Sequence, residues 1–323
     1  MRVRPVETLT FACLAGIVAS CVKSDPQLAV VAAPIVDLRA QPGPPAQSLA
    51  HDANQETQAL YGERVLIQRI EDDWALIEAS EQPEYTHHQK WEGYPGWVHT
   101  SDLVLVRGLP PPSAVVVAKW ATIWRDPRSE QPIMSLPMGT RLAAERSQTG
   151  LLKVQMVDGT VGWISRGDVE WLDELAKHTP ELRRRAVVRA ADELIGDPYF
   201  WGGRSPRADS SEQVTGADCS GVVSLAYRAA GIVIPRDAHE QFMRARAVDQ
   251  LQTADLVFLS EAGNPSKIVH VMLYAGDGWL IEGPGTGLSV RRISVKDRLG
   301  RTDAELHSGQ TVKEQTIFLG SLL

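Results

Sequence analysis

A chain of 323 residues, 43 % of them hydrophobic, is long enough for two or three domains with real cores. A net charge of −7 without any long basic run argues against nucleic acid as a partner, and three cysteines offer no disulfide framework. Nine tryptophans stand against five phenylalanines; small β-cores absorb most of them, and tryptophan is also common where sugars or peptides are held.

The chain begins as a targeting segment. Met1-Arg2-Val3-Arg4 supplies positive charge, and Thr8 to Ala19 is apolar but too short to span a bilayer comfortably. The segment ends in Val18-Ala19-Ser20-Cys21, which resembles the lipobox of bacterial lipoproteins, whose cysteine becomes the lipidated first residue of the mature chain. Residues 1–21 are therefore expected to be a lipoprotein signal peptide and Cys21 the lipidation site. The protein is then exported and membrane-anchored, facing the periplasm or cell wall. A plain signal peptide is the alternative. Cys13 would leave with that segment, making Cys219 the only free thiol of the mature chain. A lone thiol in an exported protein invites a reactive role, beside the buried structural one.

Residues 22–108 read as a tether and a first all-β domain. Short alternating runs, Arg64 to Gln68, Trp74 to Glu78 and Gly96 to His99, are strand patterns separated by turns. Pro110-Pro111-Pro112 marks a linker, and residues 113–172 repeat the first block. Gly96-Trp97-Val98 is echoed by Gly162-Trp163-Ile164, and Gly62-Glu63-Arg64-Val65 by Gly139-Thr140-Arg141-Leu142, at nearly the same offset. The closing Gly-Trp-Val/Ile strand resembles bacterial SH3-like domains.

Residues 178–323 change character. A helix is expected from Glu181 to Ile195, with Gly196 as its stop. Tyr199-Phe200-Trp201-Gly202-Gly203 and a polar loop follow. Asp218-Cys219-Ser220-Gly221 then precedes an apolar helical run, Val222 to Ala230. That puts Cys219 at or near a helix N-terminus, where free N–H groups and the macrodipole favour a thiolate. Short strands come next, from Ala254, Ile268, Gly278 and Thr316. Helices first and an antiparallel sheet afterwards give an α+β domain.

His270 lies in an apolar strand that turns at Gly276-Asp277-Gly278 into Trp279-Leu280-Ile281-Glu282. In such a hairpin His270 and Glu282, twelve apart, are expected to share a face, opposite or diagonal. Glu282 can then orient His270, and His270 can pair with Cys219, the arrangement covalent acyl transfer needs. His239 is a rival base. His87-His88 invites a metal reading, but without neighbouring acids or thiols it reads as a solvated loop. Ser220 has no Gly-x-Ser-x-Gly elbow around it.

These pieces fall in the order found in the NlpC/p60 family of cell-wall peptidases, which residues 181–320 resemble. The fold class implied is multidomain: two small all-β SH3-like barrels followed by an α+β papain-like catalytic domain. The resemblance implies a Cys219 nucleophile, a His270 base and Glu282 as third polar residue, although that slot more often holds His, Asn or Gln. It implies no metal and no cofactor. Relatives with preceding SH3-like domains cleave between γ-linked D-glutamate and a diamino acid in peptidoglycan stem peptides with a free N-terminal L-alanine. By position, Tyr199 would support the oxyanion and Trp201 wall the pocket. Asp218 and Ser220 would contact the D-glutamate. Arg236 and Asp237 would bind the start of the peptide, with Glu56 as a second carboxylate at its ammonium and Tyr94 closing the pocket. The loop from Arg204 to Thr215 is longer than usual and could cover the site. Two alternatives stay open: a broader amidase or acyltransferase on the same core, and a wall-binding module with an inactive catalytic domain.

Overall fold

The computed structural model describes residues 27–106, 108–128, 131–147, 150–209 and 213–323. The expected signal peptide, with Cys13 and Cys21, lies outside them. Seven strands build the first unit: Gln27–Val31 (β1), Ile35–Arg39 (β2), Gln55–Leu60 (β3), Arg64–Glu71 (β4), Trp74–Glu84 (β5), Glu92–His99 (β6) and Leu103–Leu105 (β7). Seven more build the second: Ala114–Val116 (β8), Trp120–Trp124 (β9), Pro132–Pro137 (β10), Arg141–Glu145 (β11), Leu151–Gln155 (β12), Val161–Ser165 (β13) and Val169–Trp171 (β14). The sheet orders, β3-β2-β6-β5-β4-β1-β7 and β10-β9-β13-β12-β11-β8-β14, are the same order twice.

The echoed residues do the same work in both copies. Gly62 and Gly139 each turn the chain at positive φ, 75° and 84°, a conformation glycine adopts without steric cost. Their N–H groups donate to the carbonyls of Val31 and Val116, both at 2.9 Å. Each Gly-Trp-Val/Ile strand runs into a 3-10 turn, Thr100–Asp102 and Arg166–Asp168.

The two echoes do not share one offset, however. Trp97 and Trp163 are 66 positions apart, whereas Gly62 and Gly139 are 77 apart. The surplus in the first copy lies in the hairpin of β5 and β6: β5 has 11 residues where β12 has 5. Along β5, Ala75, Ile77 and Ala79 face the barrel core. Past a register shift between Ala79 and Pro83 the alternation resumes with the opposite parity and buries Gln82 and Glu84. Those positions are polar and yet covered because the extended hairpin leans on the third unit. Arg236 donates its backbone N–H to the Pro83 carbonyl at 3.1 Å, Thr86 N donates to Glu240 Oε1 at 3.2 Å, and the Arg244 guanidinium stacks on Trp91 at 3.9 Å.

The third unit opens with helices Leu172–Leu175 (α1), Pro180–Asp192 (α2), Cys219–Ala229 (α3) and Ala238–Arg244 (α4). Thr179 caps α2 and Pro180 occupies its first turn, a favoured combination. The helix stops three residues before the expected Ile195, and the chain turns at Gly196. The sheet follows, with strands Arg246–Ala247 (β15), Leu256–Glu261 (β16), Asn264–Gly276 (β17), Trp279–Glu282 (β18), Arg291–Ser294 (β19), Thr311–Val312 (β20) and Gln315–Ser321 (β21). Its order is β15-β21-β16-β17-β18-β19, with β20 beside β21, all antiparallel. A short helix, Val295–Leu299 (α5), follows β19. The largest apolar core crosses all three units: Ile35 and Leu60 from the first and Met138 from the second pack with Val222 and Leu225 of α3. The architecture is two SH3-like barrels and an α+β papain-like domain.

Buried charge crosses the same boundary. Glu63 of the first unit has no exposed side-chain surface and meets Arg204 at 2.8 Å and Arg228 at 3.3 Å. Arg228 also reaches Glu81 at 2.9 Å and the Gly139 carbonyl at 2.8 Å. Arg204 thus roots the 204–215 loop between the units.

Candidate active site

Cys219 is the first residue of α3, and its position is fixed by Asp218. The Asp218 carboxylate accepts from Gly221 N at 2.6 Å, capping the helix. It also accepts from Gly202 N at 3.0 Å and pairs with Arg236 at 2.8 Å. Gly221 sits so close to the Gly203 carbonyl that a Cβ would come within 2.1 Å. The two glycine-bearing motifs therefore interlock, and any side chain at Gly221 would push α3 away. Tyr199 is held by its backbone N–H, which donates to the Leu288 carbonyl at 2.8 Å.

His270 comes from β17 and Glu282 from β18. A plain two-residue turn at Asp277-Gly278 would pair Gly276 with Trp279 and set Glu282 opposite Leu273, on the wrong face for His270. The strand carries one extra residue between Tyr274 and Gly276, so that Leu273 pairs with Ile281. That bulge puts Glu282 opposite Met272 and diagonal to His270. The expected shared face is realised, but through the bulge and not through the even spacing alone.

His270 Nε2 lies 2.8 Å from Glu282 Oε2, and Cys219 is its other side-chain hydrogen-bond partner. With Nε2 engaged by Glu282, Nδ1 is the ring atom left for the thiol. Burial pulls the imidazolium down, but bonds to Cys219 and Glu282 and their charges outweigh it and raise His270 to about 9. Burial likewise pushes Glu282 up, and His270, Arg291 and Arg298 overcome it and hold the carboxylate at about 2. Arg291 reaches Glu282 Oε1 at 2.7 Å and Arg298 reaches Oε2 at 3.0 Å. Neither arginine is visible as a site residue in the sequence, where both read as ordinary charges of exposed segments.

A cavity of about 360 Å³ opens over Cys219. Tyr199, Trp201, Asp218, Ser220 and Asp237 line it from the third unit, and Glu56 and Tyr94 from the first. Burial first, then the charges of Asp218 and Cys219, keep the Tyr199 phenol far from ionising, so it remains a hydrogen-bond donor. Trp201 is 43 % exposed and meets His51 edge-on at 4.7 Å. Tyr94 donates to Asp237 Oδ2 at 3.0 Å and lies 3.3 Å from Glu56 Oε2. Solvent loss pushes Asp237 up first; Arg236 opposes it, Asp218 and Glu240 add to it, and the carboxyl reaches about 7.

Three expectations change. Arg236 is fully buried and absent from the cavity wall. Its guanidinium is spent on Asp218, Ser220 Oγ at 2.8 Å and Thr57 Oγ1 at 2.7 Å. It pins the wall from behind and does not line the cavity. The described residues of the 204–215 loop line no part of the cavity either; Trp120 Nε1 donates to the Arg207 carbonyl at 2.8 Å, away from the mouth. The His87-His88 pair is not free of acids: His87 meets Glu84 and Glu56, and His88 meets Glu92. Among the described residues Glu84, His88 and Glu92 form a close group, with Lys90 already paired to Glu92 at 2.6 Å. His239 lines the cavity, and its Nδ1 accepts from Ile268 N at 3.3 Å.

Residues 196–302, which hold the cysteine, the histidine and the glutamate, match the NlpC/P60 family. This region is an NlpC/P60 cysteine peptidase domain. The chain is 28 % identical over 246 residues to the gamma-D-glutamyl-L-lysine dipeptidyl-peptidase of Bacillus cereus, covering 74 % of this chain and 70 % of that one. It is 28 % identical over 291 residues to dipeptidyl-peptidase 6 of Lysinibacillus sphaericus, covering 85 % and 95 %. The crystal structure of an NlpC/P60 family protein from Bacillus cereus superposes with a TM-score of 0.71 at 24 % identity, over 92 % of this chain and 99 % of that one. The shared fold thus includes the barrels that precede the NlpC/P60 domain.

Proposed function

We propose that the protein is a cysteine endopeptidase of peptidoglycan stem peptides that hydrolyses the γ-D-glutamyl–diamino acid bond and prefers a free N-terminal L-alanine. The observation that carries this reading is the meeting of Glu56 and Asp237 at the Tyr94 hydroxyl, in the cavity that also holds Cys219. Two carboxylates at a closed end are suited to an ammonium, whose burial is costly unless paired. The relatives named as gamma-D-glutamyl-L-lysine dipeptidyl-peptidases point to the same bond.

Cys219 Sγ attacks the γ-carbonyl carbon with its proton already held on His270 Nδ1, the ring that Cys219 and Glu282 keep cationic. The carbonyl oxygen becomes an oxyanion that takes a hydrogen bond from the Tyr199 phenol. His270 then gives the proton to the leaving amine of the diamino acid, and the C–N bond breaks. A water, deprotonated by His270, attacks the thioester and releases the L-Ala-D-Glu dipeptide and the thiol. Glu282 holds the ring and its charge throughout. Asp218 and Ser220 face the D-glutamate portion and Trp201 walls the cavity, with Arg236 holding both Asp218 and Ser220 from behind. Cys21, at the end of the apolar leader, carries lipid and holds the enzyme on a membrane, facing the periplasm or cell wall.

The test compares L-Ala-γ-D-Glu-diaminopimelate with its N-acetyl form by product mass spectrometry. Losing a charge-assisted bond of about 1.5–3 kcal/mol lowers kcat/KM roughly ten- to a hundredfold for the acetylated peptide. Equal rates would contradict the closed ammonium end.

A further inference from the structure

The eleven surplus residues of the first barrel carry a side chain that the mechanism above does not use. His87 sits at the tip of the extended β5–β6 hairpin. Its Nδ1 is 2.9 Å from Glu84 Oε2, and its Nε2 is 3.6 Å from Glu56 Oε2. Its ring packs edge-on against Tyr94 with centroids 5.0 Å apart. Its backbone N–H also donates to Glu84 Oε2 at 3.1 Å, and the preceding Thr86 is tied to Glu240 of α4. Glu84 is almost fully buried, so this anchor does not move with solvent. Glu56, by contrast, has its side chain a quarter exposed at the cavity.

We propose that His87 is a positioning residue: clamped by Glu84, it holds the Glu56 carboxylate beside the Tyr94 hydroxyl and thereby sets the preference for a free amino terminus. The inference rests on the ammonium reading above. The charged groups around the ring are Glu56 from β3, Glu84 from β5 and, beyond the Tyr94 hydroxyl, Asp237 at the start of α4. The Glu56 carboxylate first, and then Glu84, keep His87 cationic, to about 9, against the pull of burial. Glu84 offsets that charge on the ring's other nitrogen, so the imidazolium orders Glu56 without setting a bare cation against the substrate ammonium. The second barrel lacks the equivalent extension, so only the first copy of the repeat brings these groups to the cavity.

The experiment measures kcat and KM of the wild type, His87→Ala and His87→Gln on the free and N-acetyl peptides, with a thermal melt of each protein. In His87→Ala the ratio of kcat/KM between free and acetylated peptide is expected to fall about three- to tenfold, through KM of the free peptide and with kcat changed less than about twofold. His87→Gln, whose amide nitrogen can reach where Nε2 does, recovers most of the ratio. A wild-type preference that both variants keep unchanged overturns the positioning role and leaves the ammonium reading standing. A wild type without any preference overturns the ammonium reading and this one with it. A fall in kcat on both peptides at an unchanged ratio assigns His87 to the fold of the hairpin and also overturns the proposal.

Discussion

Asp237 should govern how binding responds to pH. Its carboxyl is raised to about 7, so below that pH the proposed ammonium end of the cavity lacks the charge of Asp237. As pH climbs through 7, Asp237 ionises and the free-amine peptide binds more tightly. The gain ends when the peptide's own α-amine loses its proton near a pKa of about 8. A profile of kcat/KM against pH should therefore rise through about 7 and fall beyond about 8, and Asp237→Asn should lose the rising limb while the acetylated peptide never shows it. A rising limb that survives in Asp237→Asn would assign it elsewhere. The same group bears on stability with a definite sign. A carboxyl raised above its ordinary value of 3.8 costs folding stability as pH rises from about 4 to 7. Glu282 acts in the opposite sense: held at about 2, below its ordinary 4.5, it stabilises the fold above pH 4.5, and that contribution is lost as pH falls through 2.

The decisive element is the hairpin of β17 and β18. Its bulge moves Glu282 by one residue of register and so to the face of His270. Inserting one alanine between Ile281 and Glu282 sets the glutamate opposite Val271, on the other face of the strand, and should leave His270 without its orienting carboxylate, lowering kcat by at least about a hundredfold, with the melt separating lost register from lost fold. An insertion variant with wild-type kcat would show that the face of Glu282 is dispensable. The Asp277-Gly278 turn and both strands are legible in the sequence, since Asp-Gly between apolar runs carries its own conformational signal. The bulge is not, because Ala275 differs in no local property from a paired strand residue. Asp218-Cys219-Ser220-Gly221 is legible as a helix start because a capping side chain and a following apolar face mark it. Arg236 is misread for the converse reason: a charged side chain is expected at the surface, and only the packed structure shows Asp218, Ser220 and Thr57 waiting for it inside. The two barrels are legible as a repeat, whereas the docking of the longer hairpin depends on contacts with α4 that no local pattern announces.

At the scale of the whole molecule, the cavity exists only because the first barrel is held against the NlpC/P60 domain. A shared apolar core and the buried Glu63 with Arg204 and Arg228 fasten them. Glu63→Gln removes the anion and leaves two guanidiniums facing each other with Glu81 as their nearest remaining acid. Breaking a buried pair in this way costs about 3–5 kcal/mol, so the melting temperature should drop, and KM for the free-amine peptide should rise as Glu56 and Tyr94 shift. An unchanged melt would mean that the apolar core alone joins the units. The proposed activity rests on one chemical event, attack by Cys219 on the γ-glutamyl carbonyl. Product mass spectrometry on L-Ala-γ-D-Glu-diaminopimelate with the wild type and Cys219→Ala tests it most directly. The wild type should release L-Ala-D-Glu and the diamino acid, and Cys219→Ala, melting as the wild type does, should release neither at more than about a thousandth of that rate. Turnover near the wild-type rate in Cys219→Ala, or cleavage by the wild type at a different bond, would contradict the account.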